Sequence, residues 1–188
     1  MRTSELYNYV ERLNNLLRID SRKKGATYGL QPIQLEALHY LSICNTYSNT
    51  PIAVTEYLGQ TKGTVSQTLK VLEKKGYLTK HSDVSDKRIS HLVLTKEGVK
   101  VLAESIPTPL FTNACKKLSE KEQTRISSAL NTLLLNMLKT NEMKPFGVCS
   151  SCRYNSESEE NQFFCNLLNE PLNDREVELI CREYKDLE

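Results

Sequence analysis

Four cysteines near the end of the chain have a spacing that suits metal binding. They follow the pattern C-x2-C-x12-C-x15-C and are Cys149, Cys152, Cys165 and Cys181. Four thiolates are the ligand set of tetrahedral Zn²⁺ and also of iron–sulfur clusters. The first pair has the spacing of zinc sites, whereas the two isolated ligands depart from a standard zinc ribbon. We therefore expect Zn²⁺, with an iron–sulfur cluster as the alternative and free or redox-paired thiols as a third interpretation.

The segment that carries these cysteines is acidic, and the rest of the chain is basic. Residues 146–188 contain four Lys or Arg and ten Asp or Glu, a net charge of −6, which leaves +8 on residues 1–145. Arg153 and Arg182 each directly follow a cysteine and are expected to offset thiolate charge. A basic body attracts phosphates and an acidic tail does not. We expect residues 143–188 to form a Cys-rich extension organised by a metal ion.

Apolar residues and one further helix are expected to complete this extension. A helix over residues 174–184, capped by Asn173 and Glu176, would deliver Cys181 to the site. The predicted apolar shell of the site is Phe146, Val148, Tyr154, Phe163, Phe164, Leu167, Leu168 and Leu172. Cys44 and Cys115 occur in apolar helical contexts, so we expect both to be buried small hydrophobes.

Residues 60–98 suggest a nucleic-acid-binding element. Val65, Leu69 and Leu72 fall on one face of a predicted helix over residues 60–75. Two short β-like runs follow, at residues 77–80 and 89–94, and they flank a polar turn with a basic tip. A helix followed by such a hairpin is typical of a winged helix-turn-helix unit that binds duplex DNA. The predicted DNA contacts are Thr61, Lys62, Thr64, Ser66, Gln67, Thr68, Lys70, Lys87 and Arg88.

Helices are expected on both sides of this unit. Periodic apolar residues predict a first helix over residues 4–20, followed by a loop at residues 21–29, and further helices from Leu30 and over residues 52–58. Pro107 and Pro109 should interrupt a helix that begins near Thr95. Ser119 and Glu122 form a capping box ahead of a broad apolar face. That face, with the first helix, predicts a dimerisation surface; the alternative is an intramolecular core helix. Its residues are Ile126, Leu130, Leu133, Leu134, Met137 and Leu138.

The hairpin also carries a family pattern. The residues of D-x-R-x-x-x-L-x-L-T-x-x-G are Asp86, Arg88, Leu92, Leu94, Thr95 and Gly98. This pattern, with LKVLEKKGYL at residues 69–78, resembles the MarR family of bacterial transcriptional regulators over roughly residues 5–140. The resemblance implies a triangular homodimer with interleaved terminal helices and recognition helices on successive major grooves. It also implies that Arg88 contacts DNA and is held by Asp86, and that in many members a small molecule, metal or oxidant changes the spacing of the two winged units.

These observations lead to one overall expectation. The fold should be mainly α. A winged helix-turn-helix unit at about residues 30–98 and flanking dimerisation helices should together form a domain over residues 1–142. A small metal-organised extension should follow this domain. We expect a homodimeric, cytoplasmic regulator that binds double-stranded DNA, with a small-molecule effector as a candidate partner. The four-Cys site would either fasten the extension to the dimer or sense metal or redox state and control DNA binding.

The sequence favours neither an enzyme nor a membrane protein. The histidines at 39, 81 and 91 are scattered, and no phosphate loop or catalytic carboxylate pair stands out. No apolar run approaches the roughly 18 residues of a membrane-spanning helix. The alternative function is an iron–sulfur or thiol redox protein whose winged domain serves protein contacts.

Overall fold

The computed structural model describes residues 2–84, 86–158 and 162–187. Helix α1 spans Arg2–Thr27, so the loop predicted from residue 21 is wrong up to Thr27. Gly25, one of the loop signals, serves close packing instead: a Cβ there would lie 3.0 Å from the Leu30 carbonyl oxygen. After α1 the chain turns at Gly29, whose φ of 60° lies in the left-handed region that favours glycine.

Three helices form the centre of the molecule. They are α2 (Pro32–Ile43), α3 (Pro51–Leu58) and α4 (Lys62–Lys74). Proline opens α2 and α3, the Thr50 and Thr61 side chains cap α3 and α4, and left-handed Gly59 ends α3. The most deeply buried core side chains include Leu35, Leu38, Tyr40, Val54, Val65, Leu69, Leu72, Leu78 and Leu92.

A β-hairpin follows α4 and packs on the same core. Strand β1 (Leu78–Ser82) pairs antiparallel with β2 (Ser90–Leu94), with Leu78 opposite Leu94 and His81 opposite His91. The alternating pattern buries Leu78 and Leu92. The predicted strands are confirmed to within two residues at each end, and with α3 and α4 they complete a winged helix-turn-helix.

The helices after the hairpin follow the predicted breaks. Helix α5 spans Lys96–Ser105, α6 spans Pro109–Cys115, and α7 spans Glu120–Thr140. The chain leaves the helical conformation between α5 and α6, at the predicted prolines, and the Ser119–Glu122 capping box is present. Helix α7 contains no buried residue, so its apolar face is exposed.

No described helix is long and apolar enough to cross a bilayer.

The C-terminal extension contains more β-structure than expected. Strands β3 (Asn155–Glu157), β4 (Phe163–Cys165) and β5 (Glu170–Leu172) form an antiparallel sheet, after a 3-10 turn at Cys149–Ser151. The helix predicted for residues 174–184 is wrong in length, because α8 spans only Asp174–Val177. The Ile180 N–H donates to the Ile43 carbonyl, and the Ile180 carbonyl accepts from the Asn45 N–H. The backbone of Ile180 therefore forms its hydrogen bonds with the winged-helix unit and not within the predicted helix. The fold class is otherwise confirmed as mainly helical with small antiparallel sheets.

Candidate nucleic-acid interface and cysteine site

The outer face of α4 carries most of the predicted DNA-contact residues. The exposed ones are Thr61, Lys62, Thr64, Ser66, Gln67 and Lys70. Thr61 has a second role, because its hydroxyl caps α4 by accepting from the Thr64 N–H at 3.2 Å. Its Oγ1 also lies 2.9 Å from Thr64 Oγ1, so both hydroxyls are partly committed to the helix start. The side chains of Lys62, Ser66, Gln67 and Lys70 are exposed to solvent on the same helix.

Thr68 was predicted as a DNA contact, and this prediction is wrong. Its side chain is only 5% exposed and lies among the core residues of α4. Thr68 is three residues after Val65 and four before Leu72, which places it on the apolar face. The same periodicity that identified the core face was therefore a signal against Thr68.

The tip of the hairpin presents a cation in a fixed position. Arg88 Nε and Nη2 donate to the two carboxylate oxygens of Asp86 at 2.9 and 2.7 Å, while the Arg88 side chain stays 90% exposed. The Arg88 backbone N–H also donates to Asp86, at 3.0 Å. These hydrogen bonds hold the pKa of the Asp86 carboxyl below its usual value. Lys87 lies beside this pair and is exposed.

His91, at the base of the hairpin, has polar partners that the sequence did not indicate. His91 Nδ1 lies 2.5 Å from Asn49 Oδ1, and His91 Nε2 lies 3.0 Å from Asp83 Oδ2. The Asn49 carbonyl also accepts from the Leu92 N–H at 2.7 Å. The connection between α2 and α3 therefore supports the wing directly. No local signal could have indicated this pairing, because Asn49 and His91 lie 42 residues apart.

The four cysteines of the predicted metal site surround one small cavity. Cys149, Cys152 and Cys181 are buried and Cys165 is half-buried, and all four line a cavity of about 10 Å³. In the described part of the chain no three His, Cys, Asp or Glu side chains are arranged so that they could hold a metal ion. The structure thus brings the four thiols to one place but not into coordination geometry.

Polar groups of the winged-helix unit contact these thiols. Asn45 Nδ2 donates to Cys149 Sγ at 3.2 Å. The Cys149 thiol hydrogen-bonds Cys181, which lowers the pKa of Cys181 to about 6, with further hydrogen bonds from the Glu183 backbone, Ser48 and Asn45. The same Cys149–Cys181 contact and burial raise the pKa of Cys149.

Arg182, beside Cys181, binds carboxylates instead of offsetting thiolate charge as predicted. Arg182 binds the Glu56 carboxylate through Nε and Nη2, both at 2.7 Å, and also donates to Glu183 at 2.7 Å. The hydrogen bond from Arg182 holds the pKa of Glu56 below its usual value. Arg182 therefore fastens the extension to α3. The Arg153 guanidinium lies 6.0 Å from the centre of the Tyr154 ring.

The predicted apolar shell is correct only in part. Tyr154, Leu167, Leu168 and Leu172 line the cysteine cavity. Phe146 instead packs edge-on against Tyr40 and Tyr57, with ring centres at 5.9 and 5.3 Å, and belongs to the main core.

The two cysteines outside this cavity differ in burial. Cys44 is 6% exposed, and burial raises the pKa of its thiol to about 12, which confirms it as a buried small hydrophobe. Cys115, at the end of α6, is only half-buried, contrary to expectation.

The architecture defines the class of protein: a winged-helix protein with long flanking helices. Residues 28–89 match the model of the MarR family. This winged-helix region is thus similar to the MarR family over about a third of the chain. A search of curated proteins found no match.

Solved structures share this fold. A DNA complex of MepR from S. aureus is 25% identical, with a TM-score of 0.56, and the similarity covers 69% of this chain and 97% of that one. A MarR transcriptional regulator from Methanosarcina mazei Go1 is 22% identical, with a TM-score of 0.62, covering 73% and 99%. FabT from Streptococcus pneumoniae, in complex with DNA, is 24% identical, with a TM-score of 0.57, covering 73% and 98%. More than a quarter of this chain thus has no counterpart in these structures.

Proposed function

We propose that this protein is a MarR-like transcriptional regulator that binds double-stranded DNA sequence-specifically as a homodimer. The observation that carries the proposal is the exposed polar face of α4 together with the exposed, carboxylate-oriented Arg88 of the wing. The similarity to MepR, whose structure was solved with DNA, supports the same conclusion. Such a function depends on binding and requires no catalytic group.

Each exposed group suits a particular contact with the duplex. In the major groove, Gln67 would bind base edges with its amide, and Ser66 and Thr64 with their hydroxyls. Lys62 and Lys70 would contact phosphates and so fix the position of the helix. Arg88 would enter the minor groove or bind a phosphate, since its guanidinium stays charged at all physiological pH values.

The homodimer is supported by apolar surface that the single chain leaves uncovered. Ile126, Leu130, Leu134 and Met137 of α7 are 46 to 59% exposed, and α1 exposes Leu6, Tyr9 and Leu13 by 50 to 62%. Exposed apolar side chains in series on a helix indicate an interaction site. A two-fold dimer would present two copies of α4 to successive major grooves.

The first test measures DNA binding directly. DNA fragments are selected from a random-sequence pool with the full chain, and affinity for the selected sequence is measured over a series of salt concentrations. We expect steep salt dependence, and we expect Arg88→Ala to weaken binding and to reduce the slope of log K against log salt by about 1.

The matched control is Arg125→Ala, which removes the same type of side chain from the exposed surface of α7. Its affinity and salt slope should equal those of the wild type. If Arg88→Ala bound DNA as tightly as the control, the wing would have no part in recognition. If no sequence were enriched by selection, the proposal of sequence-specific binding would fail.

We further propose that the cysteine site controls this DNA binding through metal or redox state. Support comes from the convergence of four thiols on one cavity that also contacts Asn45 of the winged-helix unit.

A further inference from the structure

We infer that the four cysteines of the extension bind one zinc ion, and that this ion fastens the extension to residues 45–49, which also support the wing. The inference about the wing rests on the proposed DNA-binding function, whereas the metal site itself does not. Residues 45–49, the connection between α2 and α3, are called the connecting segment below.

The ligand set and its spacing favour a single zinc ion. All four cysteines line the same cavity, which supplies the four thiolates of a tetrahedral site. Cys149 and Cys152 have the two-residue spacing found in zinc sites. Coordination would draw the four sulfur atoms inward. Four cysteines bind Zn²⁺ as thiolates, so the centre carries a net charge of −2.

The surroundings of the cavity suit such a centre. The Asn45 amide donates to Cys149 Sγ at 3.2 Å. Hydrogen bonds of this kind stabilise negative charge on metal-bound ligands. Among the described residues, two buried carboxamide oxygens that belong to cavity residues, Asn45 Oδ1 and Asn155 Oδ1, have no hydrogen-bond partner in the protein. Unpaired buried oxygens of this kind point to a ligand in the cavity.

The connecting segment contacts the cysteine site on one side. The Asn45 N–H donates to the Ile180 carbonyl at 3.0 Å, one residue before Cys181, and the Asn45 side chain contacts Cys149. Ser48 Oγ accepts from the backbone N–H of Arg182 at 2.9 Å, one residue after Cys181. The two residues of the connecting segment that make these contacts are buried, since Asn45 and Ser48 are each 1% exposed.

On its other side the same segment contacts the wing. Asn49 accepts from the backbone N–H of Leu92 and contacts the His91 ring. An ion that fixes Cys149 and Cys181 therefore also restrains Asn45 and Ser48, and through Asn49 it restrains β2. Loss of the ion would loosen the support of the wing that carries Arg88.

The test of the site uses the full chain prepared under anaerobic reducing conditions. Elemental analysis should give one zinc per chain, and Co²⁺ added to the metal-free protein should give the intense visible absorption of tetrahedral thiolate coordination. Cys149→Ser/Cys152→Ser should lose both signals. Cys115→Ser, which changes a cysteine outside the cavity, should keep both. Two results would overturn the assignment. One is a metal-free protein whose four cavity thiols react freely and which binds neither Zn²⁺ nor Co²⁺. The other is a brown protein that contains iron and sulfide.

A second measurement avoids dependence on a variant that fails to fold. Zinc is removed from the wild type with a chelator, and amide hydrogen exchange is compared before removal, after removal and after zinc is restored. Exchange should accelerate at residues 45–49 and 147–152 and slow again on zinc addition, while the centre of α4 stays unchanged. Unchanged exchange at residues 45–49 would show that the ion does not fasten the extension to this segment.

DNA affinity is the separate readout for the wing. Zinc removal should weaken binding of the selected DNA by about tenfold, within the usual range of coupling between sites, and zinc should restore it. Arg88→Ala should keep its full zinc content, so a failure of DNA binding and a failure of metal binding are distinguishable. Equal affinity with and without zinc would disprove the link to the wing.

Discussion

Position 98 requires glycine because the backbone of Tyr77 occupies the space that a side chain would need. A Cβ on Gly98 would overlap the Tyr77 carbonyl oxygen. That carbonyl accepts from the Thr95 N–H at 3.1 Å, and the Thr95 hydroxyl donates to the Gly76 carbonyl at 2.6 Å. The last two positions of the family pattern, Thr95 and Gly98, therefore join the start of α5 to the turn that follows α4. The pattern marks a packing requirement as well as a DNA-binding wing.

Gly98→Ala should lower the free energy of unfolding by about 1–3 kcal/mol, the usual cost of overpacking. Chemical denaturation monitored by circular dichroism measures this. Gly63→Ala is the control, because a Cβ at Gly63 meets only Thr61 Oγ1 at 3.9 Å. Alanine inside a helix should leave stability unchanged or raise it by up to about 1 kcal/mol. Equal stability of the two variants would contradict the packing argument.

At the scale of elements, α1 and α7 are amphipathic helices whose apolar sides remain largely uncovered. Among the residues of α1 only Gly25 is buried, and among those of α7 none is. Most stability of a helix in a protein comes from packing of its apolar face, so these helices require a partner. A second copy of the chain supplies one in the proposed dimer.

Leu134→Asp should therefore convert the proposed dimer to a monomer, because the carboxylate would be placed on a face that the partner covers. Sedimentation over a range of protein concentrations measures the change. Leu187→Asp is the matched control, since Leu187 is 72% exposed near the end of the chain and away from α7. A wild type that stays monomeric at the highest concentration would refute the dimer itself.

At the scale of the whole molecule, the extension is docked on its own winged-helix unit. Arg182 joins Glu56 of α3, and Phe146 lies in the main core. Lys144 approaches the same carboxylate, at 3.8 Å, and Glu183 at 3.3 Å. This docking places the cysteine site beside the helix-turn-helix, which gives the site physical access to the DNA-binding elements.

The docking should weaken in acid. The Glu56 pKa is lower in the folded chain than its ordinary value of about 4.3, so the ion pair is stabilising above that value and is lost as the pH falls through the folded value. Amide exchange at Ile180, corrected for its intrinsic pH dependence, measures docking. At neutral pH, Glu56→Gln should exchange faster than the wild type, and the difference should shrink as the pH falls through the lowered pKa of Glu56 in the folded chain.

The control is Glu97→Gln, on the exposed surface of α5, which should match the wild type throughout. A Glu56→Gln protein that is fully protected at neutral pH would show that the ion pair does not hold the extension.

By itself the sequence determined the order of most elements, the wing and the polar face of α4. These depend on local rules: residues three or four apart share a helix face, Thr61 and Ser119 cap their own helices, and prolines separate α5 from α6. The same rules, applied strictly, would also have excluded Thr68.

Only the tertiary structure decided where the extension lies and what its residues contact. Arg182 and Glu56 are 126 residues apart, and Asn45 and Cys149 are 104 apart. Ile180 leaves the predicted helix because backbone pairing with residues 43–45 satisfies its hydrogen bonds instead. No periodicity along the chain encodes such pairings, since they depend on which surfaces meet once the winged-helix unit has folded.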